Sequence, residues 1–158
     1  MDAKRGFVPE DVKNFSPESI KKMRTASRHI KYLLDEGYGV KQAAAFVGNH
    51  FLLSDRQRLA VMRSIASKDQ LNGRRHTEIP LKELKGKEVW VDGFNIIITL
   101  EVLMSNSILL NCMDGTIRDL ASLRGTYRLI PETKKAVRMI FDVLEEIGVS
   151  AVEFLIPA

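Results

Sequence analysis

The sequence has little with which to build a cross-linked or membrane-embedded scaffold. One cysteine in 158 residues, Cys112, excludes an internal disulfide and a cysteine-based zinc cage. It sits in the apolar run Ile108-Leu109-Leu110-Asn111-Cys112, so a plain buried thiol is expected. No apolar run reaches the roughly 18 residues that cross a bilayer. The longest candidate, Phe94 to Met104, is interrupted by Asn95, Thr99 and Glu101. Met1-Asp2-Ala3-Lys4-Arg5 leads into Gly, Pro and acids rather than an apolar signal core, so a soluble cytoplasmic protein is expected. His29, His50 and His76 are dispersed without ligand spacing, which argues against a histidine metal site. There is no phosphate-binding Gly-rich loop of the Walker or dinucleotide type, and no Ser/His/Asp or Cys/His arrangement to support nucleophilic catalysis.

What remains is a globular mixture, 45% hydrophobic and 28% charged, with its charge unevenly divided. Up to Ile79 there are 15 Lys and Arg against 9 Asp and Glu; from Pro80 onward there are 9 against 11. A basic front half beside a slightly acidic back half suggests two modules with different tasks. The basic half is suited to phosphate contacts, although helix surfaces also carry Lys and Arg simply for solubility.

Residues 1–15 show no clear period and read as a loose arm. Ser16-Pro17-Glu18 then reads as an N-cap, a proline at the first helical position and an acid in the first turn. Ile20, Met23, Ile30, Leu33 and Leu34 recur behind it at helical spacing, with Lys21, Lys22, Arg24, Arg28 and Lys31 between them, until Gly37-Tyr38-Gly39. An alanine-rich second helix is expected over Val40 to Val47, ended by Gly48-Asn49. Ser54 with Gln57 forms a capping box for a third, whose stripe is Leu59, Met62, Ile65 and Ala66 and whose surface carries Arg56, Arg58 and Arg63. The three make a small bundle over residues 16–67 of helix-turn-helix type, although the connector Gly48 to Leu53 is longer than that motif's turn. Residues 68–80 read as a polar linker.

Beyond Pro80 the grammar becomes βαβ. Val89-Trp90-Val91 has the signature of a buried parallel strand, with Trp90 in the core, and a helix follows through Glu101 and Leu103. A second strand is expected over Ile108 to Asn111, a helix over Thr116 to Arg124, another over Pro131 to Ile147 capped by Gly148, and a last strand over Val149 to Ile156. The fold class is therefore α/β: a helical bundle, then a parallel sheet flanked by helices over residues 81–158.

Ligands in such sheets bind beyond the carboxyl ends of the strands. Asp92 stands at one, where it would either hold a hard divalent cation with Asn95 fixing it, or simply cap the next helix. A denser cluster runs Asp114-Gly115-Thr116-Ile117-Arg118-Asp119 and on to Arg124, Tyr127 and Arg128. Five residues apart, Asp114 and Asp119 would lie about 140° apart on a continuous helix. With Asp114 in the preceding turn, both could still approach one cleft. Arg118, Arg124 and Arg128 are shaped to grip phosphate oxygens and Tyr127 to stack on a base, or else the same residues form an Asp–Arg lattice that braces a loop. Glu101, nine residues past Asp92, is a further ligand or, more simply, a partly solvated helix acid.

Three stretches carry a resemblance: Val91 to Glu101, Gly48 to Arg58, and Asp114 to Asp119. Together they resemble an uncharacterised prokaryotic family, domain of unknown function 434, with a helical N-terminal domain followed by a PIN-like domain. The resemblance covers about residues 20–158. It implies a Rossmannoid fold of PIN or NYN type, whose members are typically ribonucleases using clustered acids with Mg²⁺ or Mn²⁺. Asp92 would be the first acid and Asn95 its companion, while Asp114 and Asp119 match the third stretch. By the same resemblance the sheet would continue past Pro157-Ala158, so the domain over 81–158 is expected to be incomplete.

The leading expectation is thus a divalent-metal-dependent ribonuclease, with Asp92, Asp114 and Asp119 as ligands and Asn95 orienting the first. Arg118, Arg124 and Arg128, with Arg56 and Arg58 of the basic helical domain, would hold the RNA. A second expectation is a non-catalytic nucleic-acid-binding protein with a vestigial acid pocket. A third is an interaction module forming a homo-oligomer through its open sheet edge.

Overall fold

The computed structural model describes residues 4–121 and 127–155. The protein is mixed α/β and divides into two compact units that are not simply its front and back halves. One, the helical unit, comprises Val8–Thr77 and Leu109–Leu120; the other, the α/β unit, comprises Met1–Phe7, Glu78–Ile108 and Ala121–Ala158.

The helical unit begins with a single turn, α1 (Asp11–Asn14), inside what the sequence suggests is a loose arm. Helix α2 (Pro17–Asp35) starts as its capping signal requires: Ser16 Oγ accepts from the Ser19 N–H and Pro17 occupies N1. Helix α3 (Val40–His50) runs through Gly48 instead of stopping there. At Gly48 a Cβ would lie 3.1 Å from Arg58 Nε, so the glycine is kept for close approach to α4 (Asp55–Ser64). The Ser54–Gln57 capping box opens α4. Met23, Ala26 and Ile30 from α2, Ala43, Ala44 and Val47 from α3, and Ala60 and Val61 from α4 are buried. Full burial of side chains such as Ile30 or Val61 contributes about 1.5–3 kcal/mol each.

Residues 68–77, read above as linker, form α5 (Lys68–Thr77). It buries no residue, and it is polar all round, which is why no apolar period announces it. It is held at its N-terminal end: Ser67 and Gln70 exchange capping hydrogen bonds, and the Lys68 N–H donates to Asp35 Oδ1 at 2.7 Å.

In the α/β unit a short 3₁₀ turn (Leu81–Glu83) precedes β1 (Glu88–Asp92) and α6 (Gly93–Met104). The next strand, β2 (Leu109–Asn111), returns to the helical unit. It pairs antiparallel with β3 (Ile117–Asp119), not parallel with β1. The turn at Asp114-Gly115, with Gly115 at φ 80, makes a hairpin where Thr116 to Arg124 reads as helix. Of that stretch, residues 122–126 lie outside the described residues. Helix α7 (Pro131–Ile147) ends at Gly148 as expected, and β4 (Ala151–Leu155) pairs parallel with β1 in the register Glu88↔Ala151 to Asp92↔Leu155.

Helices α6 and α7 pack on each other, with Val102, Ala136 and Ile140 buried. Trp90 departs most clearly from expectation: it is 65% exposed, because the described sheet is covered on the side of Val89 and Val91 and open on the other. Among the described residues, no helix is long and apolar enough to cross a membrane.

Candidate functional site

The acids singled out in the sequence fall into both units. In the α/β unit Asp92 ends β1 and caps α6, accepting from the Asn95 N–H at 3.3 Å and from Asn95 Nδ2 at 2.6 Å. Asp92 and Asn95 are thus brought together, exposed, at the carboxyl end of a parallel strand. The helix-cap reading of Asp92 is realised, and the Asn95 side chain also donates to its carboxylate.

Asp114 and Asp119 belong to the helical unit. Asp114 Oδ1 accepts from the Thr116 N–H and hydroxyl at 3.1 and 2.7 Å, closing the hairpin turn. Its Oδ2 takes Arg118 Nη2 at 3.2 Å and Arg74 Nη1 of α5. Burial pushes this carboxyl up, but the Thr116 hydroxyl and N–H and the charges of Arg74 and Arg118 together hold it below the ordinary carboxylate range. Asp119, buried, lies 4.0 Å from Arg63 Nη1. The Asp–Arg lattice is the arrangement found here, and it locks α5 and α4 to the hairpin.

These donors suit a Mg²⁺ or Mn²⁺ ion poorly. Both Asp114 oxygens are already occupied by cationic or hydroxyl donors, and Asp119 faces a guanidinium. Among the described residues, no group of three or more His, Cys, Asp or Glu is gathered to hold a metal ion.

The arginines divide similarly. Arg56 clamps Asp11 with Nε at 3.0 Å and Nη2 at 2.8 Å, and its Nη1 donates to the Leu120 carbonyl at 2.6 Å. Arg58 Nε donates to the Leu53 carbonyl at 2.9 Å across Gly48. Arg118 is drawn into the hairpin lattice, Arg128 is exposed, and Arg124 lies outside the described residues. Tyr127 is turned inward: its hydroxyl donates to Glu101 Oε1 at 2.8 Å and its ring lies 5.1 Å from Phe94.

Glu101 is not a solvated helix acid. It is wholly buried in the α/β unit, accepting from Arg5 Nε at 2.8 Å, from Tyr127 and from the Thr133 hydroxyl. Cys112 is buried as expected, and burial pushes its thiol up.

Another arrangement of cations lies elsewhere in the helical unit. A groove of about 780 Å³ runs beside α2, lined by Lys21, Arg24 and Arg28, with Thr25, Ser64 and Asn111 among its polar walls. Arg28 reaches Thr25 Oγ1 at 3.3 Å, and among the described residues no acid pairs with any of the three cations. Positions 21, 24 and 28 fall within an arc of about 60° on a helix, a signal legible in the spacing but lost when α2 is read only for its apolar stripe.

Residues 22–76 match a family model described as a protein of unknown function (DUF434), and residues 81–158 match another described as a domain of unknown function (DUF5616). The chain is also similar to the uncharacterized protein MJ0935 of Methanocaldococcus jannaschii, 32% identical over 130 residues, which are 82% of this chain and 62% of that relative. The chain thus spans less than two thirds of the relative's length. No solved structure matches. Both family models and the relative are of unknown function.

Proposed function

We propose that the protein binds nucleic acid, RNA in particular, through the groove beside α2. The observation that carries this reading is the acid-free set of Lys21, Arg24 and Arg28 along one groove wall. Cations without counter-ions hold a condensed layer of solution anions, and a phosphodiester strand that replaces those ions gains their release. Thr25, Ser27, Ser64 and Asn111 add neutral hydrogen-bonding groups beside the cations. Such groups can meet sugar hydroxyls, which favours RNA over DNA. Binding needs no metal, consistent with acids that are occupied by arginines.

Fluorescence polarisation of a labelled single-stranded RNA tests this. Three neutralised phosphates give a log–log salt slope near −2, so affinity falls about 20-fold between 50 and 200 mM salt. The Arg24→Ala/Arg28→Ala variant flattens the slope and weakens binding; unchanged affinity and slope in that variant overturn the proposal. A DNA strand of the same sequence, bound equally well, would remove the preference for RNA.

The PIN-like ribonuclease reading rests on a different observation, the exposed Asp92–Asn95 pair at the carboxyl end of β1. Cleavage of RNA that requires Mn²⁺ or Mg²⁺ and disappears in Asp92→Asn would support it. Cleavage retained in that variant would refute it.

A further inference from the structure

The two faces of the β1–β4 pair are built for different neighbours. Val89, Val91, Val152 and Phe154 form one face, half-buried, with the Phe154 ring 5.5 Å from Phe141 of α7. The register places Glu88, Trp90 and Asp92 on the other, beside Ala151, Glu153 and Leu155, and all six are exposed. Parallel strands are almost always covered on both faces, because their crossover helices lie against them. Here a 65%-exposed indole and a 47%-exposed leucine stand on the uncovered one.

The charged residues that the two strands place on that face have one sign. Glu88 Oε1 accepts from Trp90 Nε1 at 3.4 Å, Glu153 sits directly across from Trp90 in register, and Asp92 lies two residues along. Neither strand contains a Lys or Arg. With no cation bound to it, such a surface repels phosphates. It is complementary to Lys and Arg, which gain carboxylate partners and an indole face at once.

We infer that this face docks a basic amphipathic helix of a partner protein. The helix lays its apolar stripe on Trp90 and Leu155, and its flanking Lys or Arg side chains reach Glu88, Asp92 and Glu153. A helix is the occupant because a strand would extend the edge of β1 or β4 and leave Trp90 uncovered, whereas helices are what cover the faces of other parallel sheets.

Trp90 is the only tryptophan in the chain, so its emission reports from the face itself. The probe is a synthetic Leu/Lys amphipathic peptide of about 18 residues, long enough to be helical. A Leu/Glu peptide of identical pattern is the comparison. Titrated into the full chain, the Lys peptide shifts Trp90 emission to the blue and binds at least about tenfold tighter than the Glu peptide. Charge reversal in Glu88→Lys/Glu153→Lys inverts the preference while the far-UV circular dichroism is retained; if that variant unfolds, Glu88→Gln/Glu153→Gln, expected to level the two affinities, replaces it. No emission shift, equal response to both peptides, or a preference that survives the substitutions overturns the inference. So does concentration-dependent self-association abolished by the same substitutions, which would give the face to a second copy of this chain.

Discussion

The two units handle buried charge in opposite ways. In the α/β unit both members of the central ion pair are withdrawn from water: the Arg5 side chain is 8% exposed and Glu101 not at all. In the hairpin lattice of the helical unit the acid is withdrawn but the arginine is not, with the partners of Asp114 47% and 40% exposed and the partner of Asp119 32%. An arginine that still touches solvent keeps part of its hydration, so its loss lets water approach the acid. An arginine buried with its acid leaves, when removed, a carboxylate that water cannot reach. The first arrangement tolerates change, and the second makes the N-terminal segment part of the core.

The sharpest way to break this comparison is to remove Arg5. Its Nε holds Glu101, its guanidinium lies 4.8 Å from the Tyr127 ring, and its Nη2 donates to the Arg128 carbonyl. Arg5→Met is expected to cost about 3–5 kcal/mol in urea unfolding, and Arg5→Met/Glu101→Met to recover part of it because no charge is then stranded. A double variant as unstable as the single one would show that packing of Arg5, not its charge, is what matters.

This contrast also marks how far the sequence could be read. Elements with a local signature were legible: Ser16-Pro17 starts α2, Ser54 and Gln57 start α4, and Gly148 ends α7. That the sheet would be parallel followed from the apolar runs and the helices between them, but that β1 would pair with β4 and lose β2 to a hairpin did not. Glu101 was misread because its neighbours in sequence say nothing of Arg5, 96 residues away. Trp90 was misread for the converse reason: alternation identifies a strand, but not whether a second layer covers it. The Ser67–Gln70 cap and the Asp114-Gly115 turn were visible signals for α5 and the hairpin, passed over because neither carries an apolar stripe. Of the site, the Asp92–Asn95 geometry was legible from spacing. That Arg56 and Arg58 would be spent on Asp11 and Leu53 was not, since both partners are set by tertiary packing.

A smaller effect sharpens the comparison within the helical unit. Arg56 is the least exposed of that unit's paired arginines, at 17%, and it makes three strong hydrogen bonds to Asp11 and Leu120. Arg56→Ala should therefore lie between the two regimes, at about 2 kcal/mol, measured by the same unfolding experiment. It should also release α1, read as loss of amide protection at Asn14 and Phe15, whose N–H groups bond within that turn. Arg74→Ala, by contrast, should cost no more than about 1 kcal/mol, because Arg118 remains on Asp114. Equal losses for Arg56 and Arg74 would erase the distinction by exposure.

The smallest expected effect separates the units by pH. Burial pushes the Tyr127 hydroxyl of the α/β unit up from its ordinary 10.0, and the nearby Glu101 charge reinforces this, outweighing the Thr133 hydrogen bond and Arg5. A raised acid favours its neutral form in the folded state, so its contribution is complete below pH 10 and is lost as pH climbs through the folded value. Asp114 of the helical unit is shifted the other way, below 3.8, so its contribution is complete above that value and is lost as pH falls through the lower, folded one. The α/β unit should thus soften at the alkaline end and the helical unit at the acid end. Thermal melts across pH check this with one variant for each arm. Tyr127→Phe should flatten the alkaline fall and leave the acid one intact, and Asp114→Asn should do the reverse. If either variant alters both limbs, the two networks are coupled and the division of charge between the units is not the independent property argued above.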